Sequence, residues 1–427
     1  MLQYNISFID NKAIIGILRR TCNHVDKRLM DHGIRVAYIV SRLLRDMPGW
    51  DAAMQRDVCT LAILHDVGAY KTAEIDRMLK FESNNIWEHS VYGYLFVKYF
   101  SPLREYAQAI LFHHAPWRML QGAADVSEQN KQIAQLLSIA DRVDVCLNAE
   151  YCPYAELVSL LQKERGTRFA PALVDRVLEH DFTAVSAEQA ESDPVFARML
   201  YGTPFSEADI REYLTMIIFS IDFRSRHTVT HAMTTTSISS ELAFFMGLDS
   251  AARSDIVCGA LLHDLGKIGV PVEILEYPGK LSPQAMSVMR SHVDITEEIF
   301  DGSIPPPIQR IALRHHEKLN GAGYPRGLTG GELTLGERIV AVADIVSALA
   351  GTRSYKEAYG KERIVRIITQ MKSDGLIDPD IVDCMNLHYD EIMRATQDRC
   401  LPILDIYQAL QEEYITLFTR YNTKEPQ

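Results

Sequence analysis

One ordered set of metal-capable side chains occurs twice in this chain. The segment Arg56 to Gly68 (RDVCTLAILHDVG) aligns without gaps on Ser254 to Gly266 (SDIVCGALLHDLG). Both are apolar helical patterns that run into His-Asp and stop at Gly. Around the first lie His32, His65, Asp66, His89, His113, His114 and Asp141; around the second, in the same order, lie His231, His263, Asp264, His292, His315, His316 and Asp344. Ten of the fourteen histidines fall in this double series, a concentration that an imidazole satisfied inside an apolar core does not explain. A duplicated unit fixes the domain plan, so the chain reads as two domains built on one pattern.

A closing segment also recurs, GTRFAPALVD at Gly166 to Asp175 and GLIDPDIVD at Gly375 to Asp383. Between the units the sequence is polar and acidic. This places one domain at 1–182, a solvated linker at 183–207 and a second domain at 208–427. Ser206 to Gly247 has continuous helical periodicity behind a good N-cap, Ser206, with acidic residues in the first turn, and is expected to form one long helix that delivers His231. β-branched alternation of strand length is scarce. The expected fold is all-α, two tandem helical domains joined by a linker and a long helix.

A chain of 427 residues is long enough for two such cores. No apolar stretch has spanning length, and the start, with Asp10 inside its apolar part and no basic leader, does not read as a signal peptide. A cytoplasmic protein without membrane contact is expected. The net charge of −12 argues against wrapping duplex nucleic acid, which needs phosphate neutralisation by Lys and Arg; a small anionic substrate remains compatible, since a metal or Arg cluster can reverse the sign inside a cleft. The seven cysteines show no CxxC pair and read as reduced thiols, mostly core filler.

Imidazole and carboxylate without thiolate suit iron, manganese, zinc or nickel. Neighbours on a helix point about 100° apart, so His263 and Asp264 serve different cations or a bridge. Asp264 has two oxygens and could bridge two cations, with His263 on one and His292, His315 and His316 sharing the other. Such a pair can hold a bridging hydroxide at neutral pH and clamp a phosphodiester during in-line attack. Lys267 either stabilises or protonates the leaving oxygen, or answers a helix C-terminus; spacing does not choose.

HDLGKIGVP at 263–271, His292, HHEKLNGAGYPRGL at 315–328 and ERIVAVADIVSALAGTRSYK at 337–356 together resemble the HD-GYP subfamily of HD-domain phosphohydrolases. The GYP is Gly323, Tyr324 and Pro325. The resemblance covers about 220–400 and extends weakly over 20–180. It implies that His231, His263, Asp264, His292, His315, His316 and Asp344 ligate two divalent cations, iron or manganese first, that Asp264 bridges, that Lys267 is catalytic, and that Arg353 and Lys356 contact substrate alongside the GYP loop. It implies hydrolysis of cyclic di-GMP or 3′,3′-cyclic GMP-AMP to the linear dinucleotide. The tandem arrangement resembles the enzymes acting on the latter, which is favoured.

Two departures stand out. Asn320-Gly321 replaces the usual Asp-Gly, and His227 stands where some members have a glutamate for a third metal; it ligates such a cation or faces solvent. The first half keeps seven potential ligands, His32, His65, Asp66, His89, His113, His114 and Asp141, but has Ala69 in the place of Lys267, no GYP after His114, and Glu150 where the second half has Arg353. It reads as a degenerate, regulatory or structural unit, with Arg35 and Tyr38 as pocket, surface or core residues. The competing reading for the whole chain is a receptor or scaffold that binds a nucleotide without cleaving it. A homodimer is a further expectation; 215–223 and the helix near 401–418 read as core or as its seam.

Overall fold

The computed structural model describes residues 4–25, 30–69, 87–149, 152–183, 185–222, 230–277, 279–351 and 359–422. Glu150, His227, Arg353 and Lys356 lie outside them. Among the described residues there is no β-strand, only the isolated bridges Arg165 to Phe169 and Asn320 to Thr329. The all-α expectation holds.

The chain divides into two compact units. One comprises Asp10–Met216 with Leu410–Gln427, here the N-terminal unit; the other comprises Ile217–Ala409 with Met1–Ile9, the C-terminal unit. The N-terminal unit contains α1 (Asn11–Asn23), α2 (His32–Leu44), α3 (Ala52–Ile63), α4 (Trp87–Phe100), α5 (Ala107–Leu111), α6 (Glu128–Asp144), α7 (Ala187–Ser192) and α8 (Pro194–Tyr201). Helix α9 (Glu207–Asp222) crosses the division. The C-terminal unit contains α10 (His231–Phe245), α11 (Ser250–Leu262), α12 (His292–Phe300), α13 (Pro306–Leu313) and α14 (Leu335–Ala350). Helix α15 (Tyr389–Asn422) supplies residues to both units.

The repeat reaches the helix starts. Asp51 caps α3 by accepting from the Met54 amide, and Asp249 caps α11 by accepting from the Ala252 amide, each satisfying one orphan donor of the first turn. In the C-terminal unit α10, α11 and α14 enclose a core of Ile238, Leu242, Ile256, Ala260, Ile339, Val342 and Val346. Thr334 and Glu337 form a reciprocal capping box at the start of α14, the helix that carries Asp344.

Three expectations change, and the stretch 215–223 takes the core alternative. The stretch 183–207 is not a solvated connector: α7 and α8 bury Phe196 and Leu200, and Asp193 accepts from Tyr38 at 3.3 Å. Two apolar residues one turn apart on α8 were enough to dock a segment whose average composition is polar. Nor is 206–247 one helix, because α9 is described to Asp222, Thr230 is a non-helical N-cap (φ −115°, ψ 3°) and His231 opens α10. Residues 216–219 and 221 are buried core. Finally, Cys146 and Cys152 form a disulfide, Cα to Cα 5.5 Å. A π-turn at Val145–Ala149 and a Cys152 amide to Cys146 carbonyl bond bring them together, a local geometry that a search for CxxC overlooks. No described helix is long and apolar enough to cross a membrane.

Candidate metal centre

Both His-Asp pairs stand where a helix ends and its last carbonyls lack intrahelical donors. His65 Nδ1 donates to the Ala62 carbonyl at 2.8 Å and His263 Nδ1 to Ala260 at 2.6 Å. His113 to Ile110, His315 to Ala312 (both 2.6 Å) and His292 to Met289 (2.7 Å) repeat the arrangement three residues back. A carbonyl only accepts, so each Nδ1 carries the hydrogen and each Nε2 presents a lone pair.

In the C-terminal unit these lone pairs converge on two carboxylates. Asp264 Oδ2 lies 3.3 Å from His231 Nε2 and 3.0 Å from His263 Nε2, whereas its Oδ1 lies 3.6 Å from His292 Nε2 and 4.0 Å from His315 Nε2. Asp344 divides the same way: Oδ1 is 3.1 Å from His231 Nε2, and Oδ2 is 3.7 Å from His316 Nδ1. The seven residues therefore form two adjoining clusters with Asp264 across both. The N-terminal unit reproduces the division. Asp66 Oδ2 faces His65 (3.4 Å) and His32 (3.7 Å), its Oδ1 faces His89 and His113 (both 3.9 Å), and Asp141 spans His32 (3.3 Å) and His114 (3.9 Å).

Donor atoms about 2.0–2.2 Å from one cation stand about 3.0–3.5 Å apart when they meet at roughly 90–110°. Most of these separations are that size or slightly larger, and most exceed a good hydrogen bond. Asp264 Oδ1 and Asp66 Oδ1 are buried without a hydrogen-bond partner, as is His113 Nε2. A buried unpaired carboxylate oxygen costs several kcal/mol, so the same defect in both copies marks where a cation belongs. Each unit thus carries clusters of His and Asp that fit two or more divalent cations.

Electrostatics matches. Burial brings the His316 imidazole down to about 3 and lowers His292 and His315, so these rings stay neutral and able to ligate. Burial also pulls on His231, but Asp264 and Asp344 outweigh it and raise the ring to about 9. Asp264 is held well below the usual carboxylate range despite burial, by His263 and Lys267. The pattern recurs with His113 brought down to about 3 by burial and His32 raised to about 10 because Asp141 and Asp144 overcome burial.

The units differ outside the ligands. Lys267 Nζ donates to Asp264 Oδ2, while Ala69 in the corresponding place is fully buried. The GYP loop packs onto the cluster: the Tyr324 ring lies 4.6 Å from His316, and the Arg290 guanidinium lies over that ring at 4.7 Å. A Cβ on Gly323 would meet Glu317 Cα and the Lys318 amide at 2.4 Å, so glycine is required. Asn320 accepts from the Ala322 amide at 3.0 Å and Gly321 takes φ +78°, a turn in which asparagine serves as well as aspartate. Arg35 and Tyr38 do not share a pocket role; Arg35 pairs with Asp144, and Tyr38 is buried against Phe196.

Several contributors escaped the sequence reading. Glu317, 1% exposed, accepts from the Arg326 and Leu328 amides at 2.8 and 2.9 Å and pins the GYP loop; its place directly after His-His was the available signal. Asp144 accepts from His32 Nδ1 at 2.7 Å, and Ser347 contacts His231 Nδ1 at 3.0 Å; both orient a ligand from three residues past Asp141 and Asp344. Gly68 and Gly266 let the His89 and His292 helices approach, since a Cβ there would meet the His89 and His292 carbonyls at 2.1 and 1.9 Å.

Comparison with known proteins agrees with this duplication. HD domain models match residues 29–146 and 215–381. A 3′3′-cGAMP-specific phosphodiesterase of Vibrio cholerae is 30% identical over 83% of this chain and 86% of its own length. The cyclic di-GMP phosphodiesterase response regulator RpfG of Xanthomonas campestris is 38% identical over 41% of this chain and 47% of its own. The crystal structure of a cyclic GMP-AMP phosphodiesterase of V. cholerae shares the fold with TM-score 0.57 at 20% identity, over 90% of this chain and 98% of that one. Two metal-fitting HD units and a relative matched along most of its length establish that this chain belongs to the HD-domain phosphohydrolases, as a tandem-HD enzyme with an HD-GYP unit.

Proposed function

We propose that the chain is a metal-dependent phosphodiesterase that opens a cyclic dinucleotide, 3′,3′-cyclic GMP-AMP ahead of cyclic di-GMP, in its C-terminal unit. The observation that carries this reading is Lys267 reaching the carboxylate that spans both clusters, in the unit that also bears the GYP loop. The Vibrio relative, named for the cyclic GMP-AMP reaction and matched across both units, supports the substrate.

His231, His263, Asp264, His292, His315, His316 and Asp344 would hold the cations, with iron or manganese suited to this nitrogen and oxygen donor set. When bound, these supply Lewis acidity and acidify water at neutral pH. The protein's own groups do the rest. Lys267 carries a proton at Nζ beside Asp264, placed to meet the 3′ oxygen as its bond to phosphorus breaks. Glu317 pins the loop whose Tyr324 packs against His316. Water adds to phosphorus, the 3′ oxygen leaves as a hydroxyl, and the product is the linear dinucleotide with a 5′ phosphate. Arg353 and Lys356 are proposed substrate contacts, and His227 a third-metal ligand.

The N-terminal unit is proposed to hold metal without hydrolysing the dinucleotide, because Ala69 offers no proton. The test is hydrolysis of both dinucleotides by protein loaded with manganese or iron under reducing conditions. The expected result is a higher kcat/KM for cyclic GMP-AMP and loss of turnover in Lys267→Ala. Faster cyclic di-GMP cleavage would reverse the substrate order, and binding of either without cleavage would make the chain a receptor.

A further inference from the structure

The C-terminal unit has an open cavity of about 470 Å³ beside the start of α10. Its walls include Thr230, Thr234, Gly351, Asp390, Arg394 and Gln397. Thr230 immediately precedes His231, and Thr234 lies one turn along α10. Gly351 lies one turn past Ser347, whose hydroxyl contacts His231 Nδ1. From Asp344 to Gly351 is about 10 Å along α14 at ~1.5 Å per residue. The cavity therefore opens next to the residue that precedes a cluster ligand. Its volume falls within the roughly 300–1,000 Å³ of small-molecule sites.

The N-terminal unit differs at the matching positions. Three residues past His231 and Asp344 stand Thr234 and Ser347; three residues past His32 and Asp141 stand Arg35 and Asp144. Arg35 Nε and Nη2 grip the two Asp144 oxygens at 2.6 and 2.9 Å, and Asp144 in turn accepts from His32. An ion pair fills in one unit the positions that two small hydroxyl residues occupy in the other. Metal-site geometry is retained in both, so the exchange leaves the ligands in place.

The lining chemistry indicates the occupant. Asp390, held by Lys361 at 2.6 Å, would repel a phosphate. Arg394 and Gln397 are exposed on α15. A fork of guanidinium donors matches guanine O6 and N7, and a carboxamide matches adenine N6 and N7. We propose that this cavity is the subsite for a purine base of the cyclic dinucleotide, that Arg394 reads guanine there, and that the Arg35–Asp144 pair is why the N-terminal unit has no such subsite. This rests on the reading of the C-terminal unit as a cyclic dinucleotide phosphodiesterase. With one phosphate over the metals, a base must lie beyond the ligand cluster, and this cavity opens next to Thr230, which precedes the ligand His231.

The test compares full-length metal-loaded protein with Arg394→Ala and with Thr234→Arg/Ser347→Asp, which rebuilds the N-terminal plug. For each, kcat and KM are measured on cyclic GMP-AMP and on bis(p-nitrophenyl) phosphate, which has no purine, together with metal per chain. Arg394→Ala should raise KM for the dinucleotide about tenfold, more than it lowers kcat, and lower the preference for dinucleotide over the small diester about tenfold. The plug variant should lose more of that preference while retaining metal. If both variants keep the wild-type preference, the subsite assignment is wrong. If wild type does not turn over the dinucleotide but binds it, Arg394→Ala must weaken the Kd about tenfold or the assignment fails. Neither binding nor turnover by wild type would remove the functional reading, and the subsite with it.

Discussion

The N-terminal and C-terminal units hold the same seven side chains in the same two clusters, down to one unpartnered carboxylate oxygen in each, yet only one surrounds them with a lysine and the GYP loop. The ligand set is fixed by a shared scaffold of helix ends, close-packed glycines and Nδ1 to carbonyl bonds. Function separates in the layer around it. The C-terminal unit has Lys267, a glycine-dependent aromatic loop pinned by Glu317, and small residues beside His231. The N-terminal unit has Ala69, and an Arg35–Asp144 pair behind His32. On the proposed reading, metal binding and catalysis separate between the two units.

The sharpest way to break that contrast is to remove the spanning carboxylate from each unit. Asp264→Ala should lower kcat/KM for the dinucleotide roughly 10³-fold or more, about 4 kcal/mol of barrier, whereas Asp66→Ala should cost less than about tenfold while lowering the metal content. Equal losses would make the N-terminal cluster a second working site. Next in size is the exchanged pair. Arg35→Ala leaves Asp144, 1% exposed, with His32 and Asn148 but without its bidentate guanidinium and should destabilise the N-terminal unit by about 3 kcal/mol, while Thr234→Ala should cost under about 1 kcal/mol; denaturant melts read both.

Lys267→Ala should lower kcat about 10²-fold, near 2.7 kcal/mol, without reducing metal per chain. Ala69→Lys should confer no turnover on protein carrying Asp264→Ala, because a lysine alone does not supply the loop and cavity. Cys146→Ser should lower the stability of the N-terminal unit by about 2 kcal/mol, the chain-entropy value for so short a loop, and make its melting indifferent to reductant. The smallest effect belongs to the end of α15, where Glu413 accepts from Lys98, Tyr94 and Tyr99. Burial would raise this carboxyl, but those three partners lower it. Its stabilisation is thus present above the unfolded value of about 4.3 and lost as pH falls through the lowered folded value. Glu413→Gln should cost about 1 kcal/mol at neutral pH and nothing in strong acid.

Local pattern carried much of this into the sequence. Capping aspartates, apolar helices and the glycine after His-Asp are short-range features, and each was readable because its cause lies within a few residues. The polar stretch 183–207 misled because Phe196 and Leu200 decide its fate by docking, which composition averages away. Cys146 and Cys152 misled because a π-turn, not a motif, brings them together. Arg35 could be placed on the right turn of α2, but its partner Asp144 is over a hundred residues away.

By itself the sequence determined that there are two copies of one ligand series, in which order the ligands come, and which copy keeps lysine and GYP, because those are matters of identity and spacing along the chain. The tertiary structure alone decided which oxygen of Asp264 faces which histidines, that Glu317 pins the loop, where the units divide, and that a cavity opens beside the start of α10 while an ion pair stands at the matching positions of the N-terminal unit. These depend on side chains from distant helices meeting in a buried space, where packing and the cost of an unpaired charge, rather than local propensity, choose the outcome.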